Sequence, residues 1–114
     1  MRYLEDSGLV GEASDLALME EHAAEAAAML RLLANERRLI LLCTLIVEGE
    51  AHVGRLAERV ALSQPAVSQH LAKLREDGLV ATRRTGTTIH YRIADPRVSK
   101  LIATLREVFC PDPA

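Results

Sequence analysis

Two cysteines are the residues of this 114-residue chain best suited to chemistry. Cys43 lies in the aliphatic run "ILLCTLIVEGE", and Cys110 follows in "REVFCPDPA" near the end of the sequence. A thiol can ligate a metal, act as a nucleophile or form half of a disulfide, yet free cysteine is also among the most frequently buried residue types. The sequence therefore leaves three readings open for this pair: metal ligands, redox-active thiols and core filling.

The four histidines are scattered, and two distant cysteines do not make the clustered ligand set that zinc prefers. We therefore predict no metal site and no cofactor. An enzyme would need a nucleophile, a base and an orienting group that converge, and no such set is apparent. We predict that the chain is not an enzyme.

Length and composition indicate one compact domain, because 114 residues with 49% hydrophobic content can bury a workable core. The beginning of the chain has no basic segment followed by an apolar one, and no apolar run approaches the roughly 18 residues of a membrane span. We expect a soluble, cytoplasmic protein with no membrane partner. Thiols are normally reduced in that compartment, so a transient bridge between cysteines is a better expectation than a structural disulfide.

The charge of the chain is unevenly distributed. Residues 1–50 contain four arginines against ten acidic residues, whereas residues 51–100 contain nine Lys or Arg against four acidic residues. A basic segment within an otherwise acidic chain is typical of a binding site for a polyanion, although a solvated basic face gives the same composition.

The N-terminal half predicts two helices. Residues 1–13 form a flexible lead-in, and Ser14 is a suitable N-cap for a first amphipathic helix. Asn35 can cap a second helix that runs to about Val47. Aliphatic residues surround that second helix, so we expect it to be central and buried, with Cys43 at its middle.

A helix-turn-helix is predicted next. The segment "VGRLAERV" forms a short helix, and Ser63 caps another that carries Pro65 in its first turn. Two β-rich runs then flank the tip Thr85-Gly86-Thr87, with Ile89, Tyr91 and Ile93 on one face of the hairpin and His90 and Arg92 on the other. Asp95 and Pro96 begin a last amphipathic helix, and residues 111–114 form a tail.

This order predicts a mainly α fold with a small β-hairpin wing: a winged helix-turn-helix with the elements α1-α2-α3-α4-β-β-α5, over residues 14–110. The apolar stripes of the terminal helices are broad for so small a domain, so we expect them to form a homodimer interface rather than to pack only on their own domain.

The helix after Ser63 is the predicted recognition helix, with double-stranded DNA as the partner. Its exposed N-terminal half offers Gln64, Ser68 and Gln69 for base readout, since glutamine can bond adenine bidentately. Other residues are expected to contact the DNA backbone from the helix or from the wing, whose glycine permits the positive φ of a tight tip. These are Ser63, His70, Lys73, Arg83, Arg84, Thr85, Gly86, Thr87 and Arg92. A packed His70 and a hairpin that is basic only for solubility are the alternatives.

Two motifs carry a family resemblance: "LSQPAVSQHLAKLREDGLV" and the wing pattern R-x-G-x-x-I-x-Y-x-I. In this order and spacing they resemble the ArsR/SmtB family of bacterial winged-helix transcription regulators, over about residues 30–109. The resemblance implies a homodimeric repressor that leaves its operator when an inducer binds. The Cys-x-Cys of many metal sensors is incomplete here, with Cys43 alone, and the last helix contains no histidine.

"LLCTLIVEGE" and "VFC" resemble a narrower branch of the family, the BigR/SqrR-like persulfide sensors. In that branch Cys43 and Cys110 correspond to a dithiol that reactive sulfur species bridge, which releases DNA and derepresses sulfide-detoxification genes. We expect Cys110, near the chain end, to be the more exposed attacking thiol. A repressor that responds to metals or to general oxidants remains the alternative.

Overall fold

The computed structural model describes residues 12–110, and these contain five helices and two longer strands of the expected type in the expected order. The predicted lead-in lies outside the described residues except for positions 12 and 13, and the predicted tail, residues 111–114, lies wholly outside them. The chain divides into two compact units, with the boundary between Ala34 and Asn35.

Helix α1 (Ala13–Leu33) belongs to the first unit. Its N-cap is Glu12, whose side chain makes no capping hydrogen bond, so the prediction that Ser14 caps this helix is wrong. The alanine-rich segment favours helix strongly enough that the helix begins before Ser14, which lies in the first turn. Its large apolar side chains Leu16, Met19 and Leu30 are each about half exposed.

The second unit begins with helix α2 (Glu36–Glu48), whose N-terminus is capped as predicted, since Asn35 accepts a hydrogen bond from the Arg38 backbone N–H at 3.1 Å. The expectation that α2 is buried on all sides is only half right. One face, with Leu41, Leu42 and Leu45, is fully buried, whereas Ile40, Ile46 and Val47 on the other are exposed. An aliphatic run without alternation does not reveal which side faces solvent.

The helix-turn-helix consists of α3 (Val53–Val60) and α4 (Gln64–Glu76). Ala61, in the turn between them, has a φ of 56°, a left-handed conformation that costs a non-glycine residue about 1 kcal/mol or more. The Ser63 hydroxyl then accepts from the Ala66 N–H at 3.2 Å and caps α4, as the sequence predicted. The last helix, α5 (Pro96–Phe109), is likewise capped by Asp95, which accepts from the Arg97 N–H at 2.9 Å.

The sheet has one strand more than the predicted hairpin. Strand β1 (Ala51–His52) pairs antiparallel with β3 (Thr88–Ile93), and β3 pairs with β2 (Val80–Thr85), so the order is β1-β3-β2. A two-residue strand is too short to produce a periodic pattern, so the sequence did not reveal it. Gly86 has a φ of 61° at the first position of the two-residue turn, as expected for the wing tip.

One core supports every element of the second unit. Its fully buried side chains come from α2, α3, α4 and α5: Leu41, Leu42, Leu45, Leu56, Val67, Leu71, Leu74 and Val98. Because α2 packs against α3, α5 and β3, it joins the recognition half of the unit to the C-terminal helix. Within residues 12–110, no helix is long and apolar enough to cross a membrane.

Candidate nucleic-acid interface and thiol groove

The outer surface of α4 displays the side chains that were predicted to read DNA. Val67, Leu71 and Leu74 have no exposed surface and anchor the helix to the core. With that face fixed, the helical period turns the opposite residues to solvent. The exposed residues on this recognition surface are Ser63, Gln64, Ser68, Gln69 and Lys73.

Gln64 lies against the beginning of α3. A Cβ added to Gly54 would lie 3.6 Å from the Gln64 side-chain nitrogen and 3.2 Å from the ring of His52. His52 itself caps α3, because its Nδ1 accepts from the Arg55 N–H at 3.2 Å. The lack of a side chain at Gly54 therefore leaves room where the two helices of the motif meet. Sequence reasoning missed His52 and Gly54, since histidine is not among the favoured N-cap residues.

His70 is half-buried rather than displayed with its neighbours. Burial lowers its pKa, and the positive charge of Arg38 lowers it further. A lowered pKa disfavours the imidazolium form, so His70 is poorly suited to attract a phosphate by charge. This geometry favours the packed reading of His70 that the sequence left open.

The wing places its two arginines on opposite faces of the hairpin. Arg84 pairs across the strands with Ile89 and Arg83 with His90, so Arg83 shares the polar face with His90. The tip residues Thr85, Gly86 and Thr87 are exposed, as is Arg92. The wing therefore presents basic and hydroxyl groups to solvent. These groups lie beside the recognition helix, because α4 packs against β2.

Arg83 is engaged by Glu50, a residue that sequence reasoning did not assign. Arg83 Nη2 lies 2.7 Å from Glu50 Oε1, and Arg83 Nε lies 3.2 Å from each carboxylate oxygen. The two residues are 33 positions apart, so only tertiary structure brings them together. Glu50 follows Gly49, the C-cap residue of α2. It is part of the quoted family motif, but the sequence predicted no partner for it.

Cys43 and Cys110 line one groove between α2 and α5. Its volume is about 500 Å³, and its walls are formed by Leu39, Cys43, Ile46, Val47, Ile102, Ala103, Leu105, Arg106, Phe109 and Cys110. Both cysteines are free thiols and both are exposed, so the expected embedding of Cys43 in the core is wrong. Cys110 directly follows α5, where its N–H donates to the Arg106 carbonyl at 2.8 Å.

The groove makes Cys43 harder to ionise. Burial raises the pKa of the Cys43 thiol, and the nearby Cys110, when charged, raises it further. Desolvation penalises a thiolate, and a second anion at short range repels it. The structure thus brings together the two residues that the sequence left far apart. Within residues 12–110, no three His, Cys, Asp or Glu side chains come together in a way that could hold a metal ion.

A winged helix-turn-helix with a solvent-exposed recognition surface defines a class, the DNA-binding transcription regulators. Comparison with known proteins places it more narrowly. Residues 35–82 match the model for the bacterial regulatory protein, arsR family. The chain is 44% identical over 102 residues to the transcriptional activator HlyU of Vibrio cholerae. The aligned region covers 90% of this chain and 94% of HlyU. The chain belongs to the arsR family, whose members regulate transcription and are not enzymes.

Solved structures agree with this assignment. The crystal structure of the transcriptional repressor BigR from Xylella fastidiosa has a TM-score of 0.77 at 42% identity, with 82% of this chain and 95% of that one covered. Reduced HlyU from Vibrio cholerae has a TM-score of 0.74 at 46% identity, with 81% and 96% covered. The winged-helix fold expected from the sequence is confirmed, and these relatives include both an activator and a repressor.

Proposed function

We propose that the chain is a homodimeric repressor whose recognition helix and wing bind operator DNA, and that reactive sulfur releases it by bridging Cys43 and Cys110. The observation that carries this proposal is the shared groove: two free, exposed thiols from α2 and α5 line the same apolar cleft. The similarity to BigR, a repressor, supports repression as the direction of control.

The sulfur chemistry needs one attacking and one resolving thiol. The Cys110 thiolate attacks the outer sulfur of a persulfide, RSSH; that S–S bond breaks, and the departing thiolate takes a proton to become RSH. The Cys43 thiolate then attacks the Cys110 sulfur and expels HS⁻, which leaves a disulfide. The persulfide sulfur is reduced to sulfide as the two thiols are oxidised. A second transfer before resolution leaves an extra sulfur in the bridge.

The order of attack follows from the environments of the two thiols. The raised pKa of Cys43 lowers its thiolate fraction, which suits a resolving residue that reacts only when a persulfide has formed beside it. Cys110, at the end of α5, is then the entry point.

A bridge would couple the groove to DNA through α2. It ties α2 to α5, and α2 packs on α3, the first helix of the DNA-reading motif. Exposed apolar side chains on α5, Leu105, Val108 and Phe109, are suited to pair with a second copy, and the two-fold axis of a dimer matches the symmetry of a typical operator. Displacement of α3 within such a dimer alters the spacing of the two recognition helices. The free energy that couples two such sites is typically about 1–3 kcal/mol.

The test uses full-length protein on a duplex selected from random sequences, with release followed by fluorescence anisotropy. Persulfide donor, hydrogen peroxide and zinc are added in parallel, and each sample is measured by intact mass. We expect the persulfide donor to release DNA and the mass to show both thiol hydrogens lost, with or without added sulfur.

Matched variants separate the thiols from the groove. Cys43→Ser and Cys110→Ser are expected to bind DNA and to resist release, whereas Ala103→Ser, which adds a hydroxyl to the groove and keeps both thiols, is expected to respond as the wild type does. Unchanged release of Cys43→Ser, or release by zinc alone, would contradict the sulfur proposal and favour a metal-responsive or less specific sensor.

A further inference from the structure

Glu50 occupies the junction between the thiol-bearing helix and the wing. Helix α2 ends at Glu48, its C-cap residue Gly49 has a φ of 82° and turns the chain sharply, and Glu50 immediately precedes β1. From this position its carboxylate reaches past the central strand β3 to Arg83 on β2. Nothing in the proposed sensing chemistry uses this residue.

The Arg83 guanidinium is engaged from two sides. Nη2 and Nε both donate to the Glu50 carboxylate, and Nη1 donates to the Thr85 hydroxyl at 2.7 Å. Two parallel N–H donors facing two oxygens form the fork by which arginine also binds a phosphate. Glu50 therefore holds the donors with which Arg83 would otherwise grip the DNA backbone.

The surroundings of Glu50 keep it charged. The hydrogen bond from Arg83 is the main cause that lowers the pKa of Glu50, burial opposes it, and the charges of Arg83, His90 and Arg92 lower it further. The pair is partly open to water, with 52% of the Arg83 side chain and 32% of the Glu50 side chain exposed. An ion pair this exposed is weak and can exchange partners.

We propose that Glu50 sets the DNA affinity of the wing by acting as an internal competitor for Arg83. In the free protein its carboxylate holds the guanidinium, and binding requires Arg83 to leave Glu50 for a backbone phosphate. The proposal rests on DNA binding through the wing and is independent of the thiol switch.

The test is Glu50→Gln, with DNA affinity measured by fluorescence anisotropy over a series of salt concentrations. We expect affinity to rise about two- to fivefold, in keeping with the strength of exposed ion pairs. The slope of log affinity against log salt should steepen by less than the roughly 0.9 of one phosphate contact, because salt no longer weakens a competing ion pair at Arg83. Glu50→Ala provides a second variant, and thermal unfolding shows that each variant is folded.

Glu48→Gln is the matched control, because it removes the same charge from the neighbouring turn. Glu48 pairs with Arg55 at 2.7 Å and not with the wing. Each substitution is repeated in an Arg83→Gln background, where the gain from Glu50→Gln is expected to vanish and any gain from Glu48→Gln to persist.

Two outcomes would overturn the proposal: unchanged or weaker binding by Glu50→Gln, or an equal gain with and without Arg83. A wild-type chain that binds no duplex would instead refute the proposed function. The two failures are therefore distinguishable.

Discussion

The thiol groove and the proposed DNA-reading surface belong to the same small domain but differ in their exposure to solvent and in their charge. The groove is lined mainly by aliphatic side chains, and burial there raises the pKa of Cys43. On the wing and α4 most of the side chains predicted to contact DNA are exposed, and Glu50 and Arg83 form an exposed charge pair. Partial burial disfavours the Cys43 thiolate, whereas the charged side chains of the proposed DNA-binding surface stay hydrated.

Helix α2 belongs to both regions. Its buried face, with Leu41, Leu42 and Leu45, forms part of the core on which α4 rests, and its exposed face presents Cys43 to the groove. Its end leads directly to Glu50 and the wing. The contrast teaches that the proposed sensing and DNA-binding regions differ in solvent environment and share one helix.

The largest expected effect is on the free energy of unfolding. A core residue beneath the recognition surface should contribute more to stability than a residue in the groove wall. Leu74→Ala removes a side chain with no exposed surface and should lower the free energy of unfolding by about 2–5 kcal/mol. Val47→Ala, in the groove wall and 78% exposed, should change it by less than about 0.5 kcal/mol. Urea denaturation followed by circular dichroism measures both, and similar losses would remove the distinction.

Within the reading surface, the helix and the wing are expected to differ in what they recognise. Gln69→Ala should cost about 1–3 kcal/mol on the selected operator and relax its sequence preference, because a base contact is lost. Arg84→Ala should weaken all duplexes alike and reduce the salt slope by about 1, because a phosphate contact is lost. Binding to matched and scrambled duplexes distinguishes them, and a uniform loss for Gln69→Ala would contradict its role in readout.

The smallest expected effect concerns the ionisation of Cys43. Alkylation by iodoacetamide follows the thiolate, so the pH midpoint for Cys43 should lie above that of the urea-unfolded chain, since burial and Cys110 both raise its pKa. In Cys110→Ser the midpoint should fall but stay above the unfolded value, because burial is the larger cause. Mass spectrometry of the labelled peptide measures it, and a midpoint below the unfolded value would show that the groove activates Cys43.

Much of the fold could be predicted from local signals. Asn35, Ser63 and Asp95 are capping residues, and each caps the helix expected of it. Gly86 supplies the positive φ at the wing tip. Ser14 failed as a cap because its neighbours also favour helix, and β1 was missed because two residues show no period.

The site was predictable to a lesser degree. The spacing of Val67, Leu71 and Leu74 determined which face of α4 is buried and therefore which residues it exposes. The roles given to Gln64, Ser68 and Gln69 stay predictions, as does the wing's contact with DNA. For the cysteines, the family motif indicated a pair where spacing alone left them unrelated.

What the sequence by itself determined is the order of the helices and the two longer strands, three of the helix caps and the outward face of the recognition helix, because these depend on neighbours within a few residues. Tertiary structure alone decided that Cys43 faces a groove with Cys110, and that Glu50 meets Arg83. Those relations depend on how α2 packs against α5 and on how the sheet pairs β1 with β3, which are contacts between residues far apart in the chain. The physical reason is that burial and the distance to a partner arise only when distant segments pack together. Burial and a nearby Cys110 set the pKa of the Cys43 thiol, and a nearby Glu50 carboxylate binds the Arg83 guanidinium.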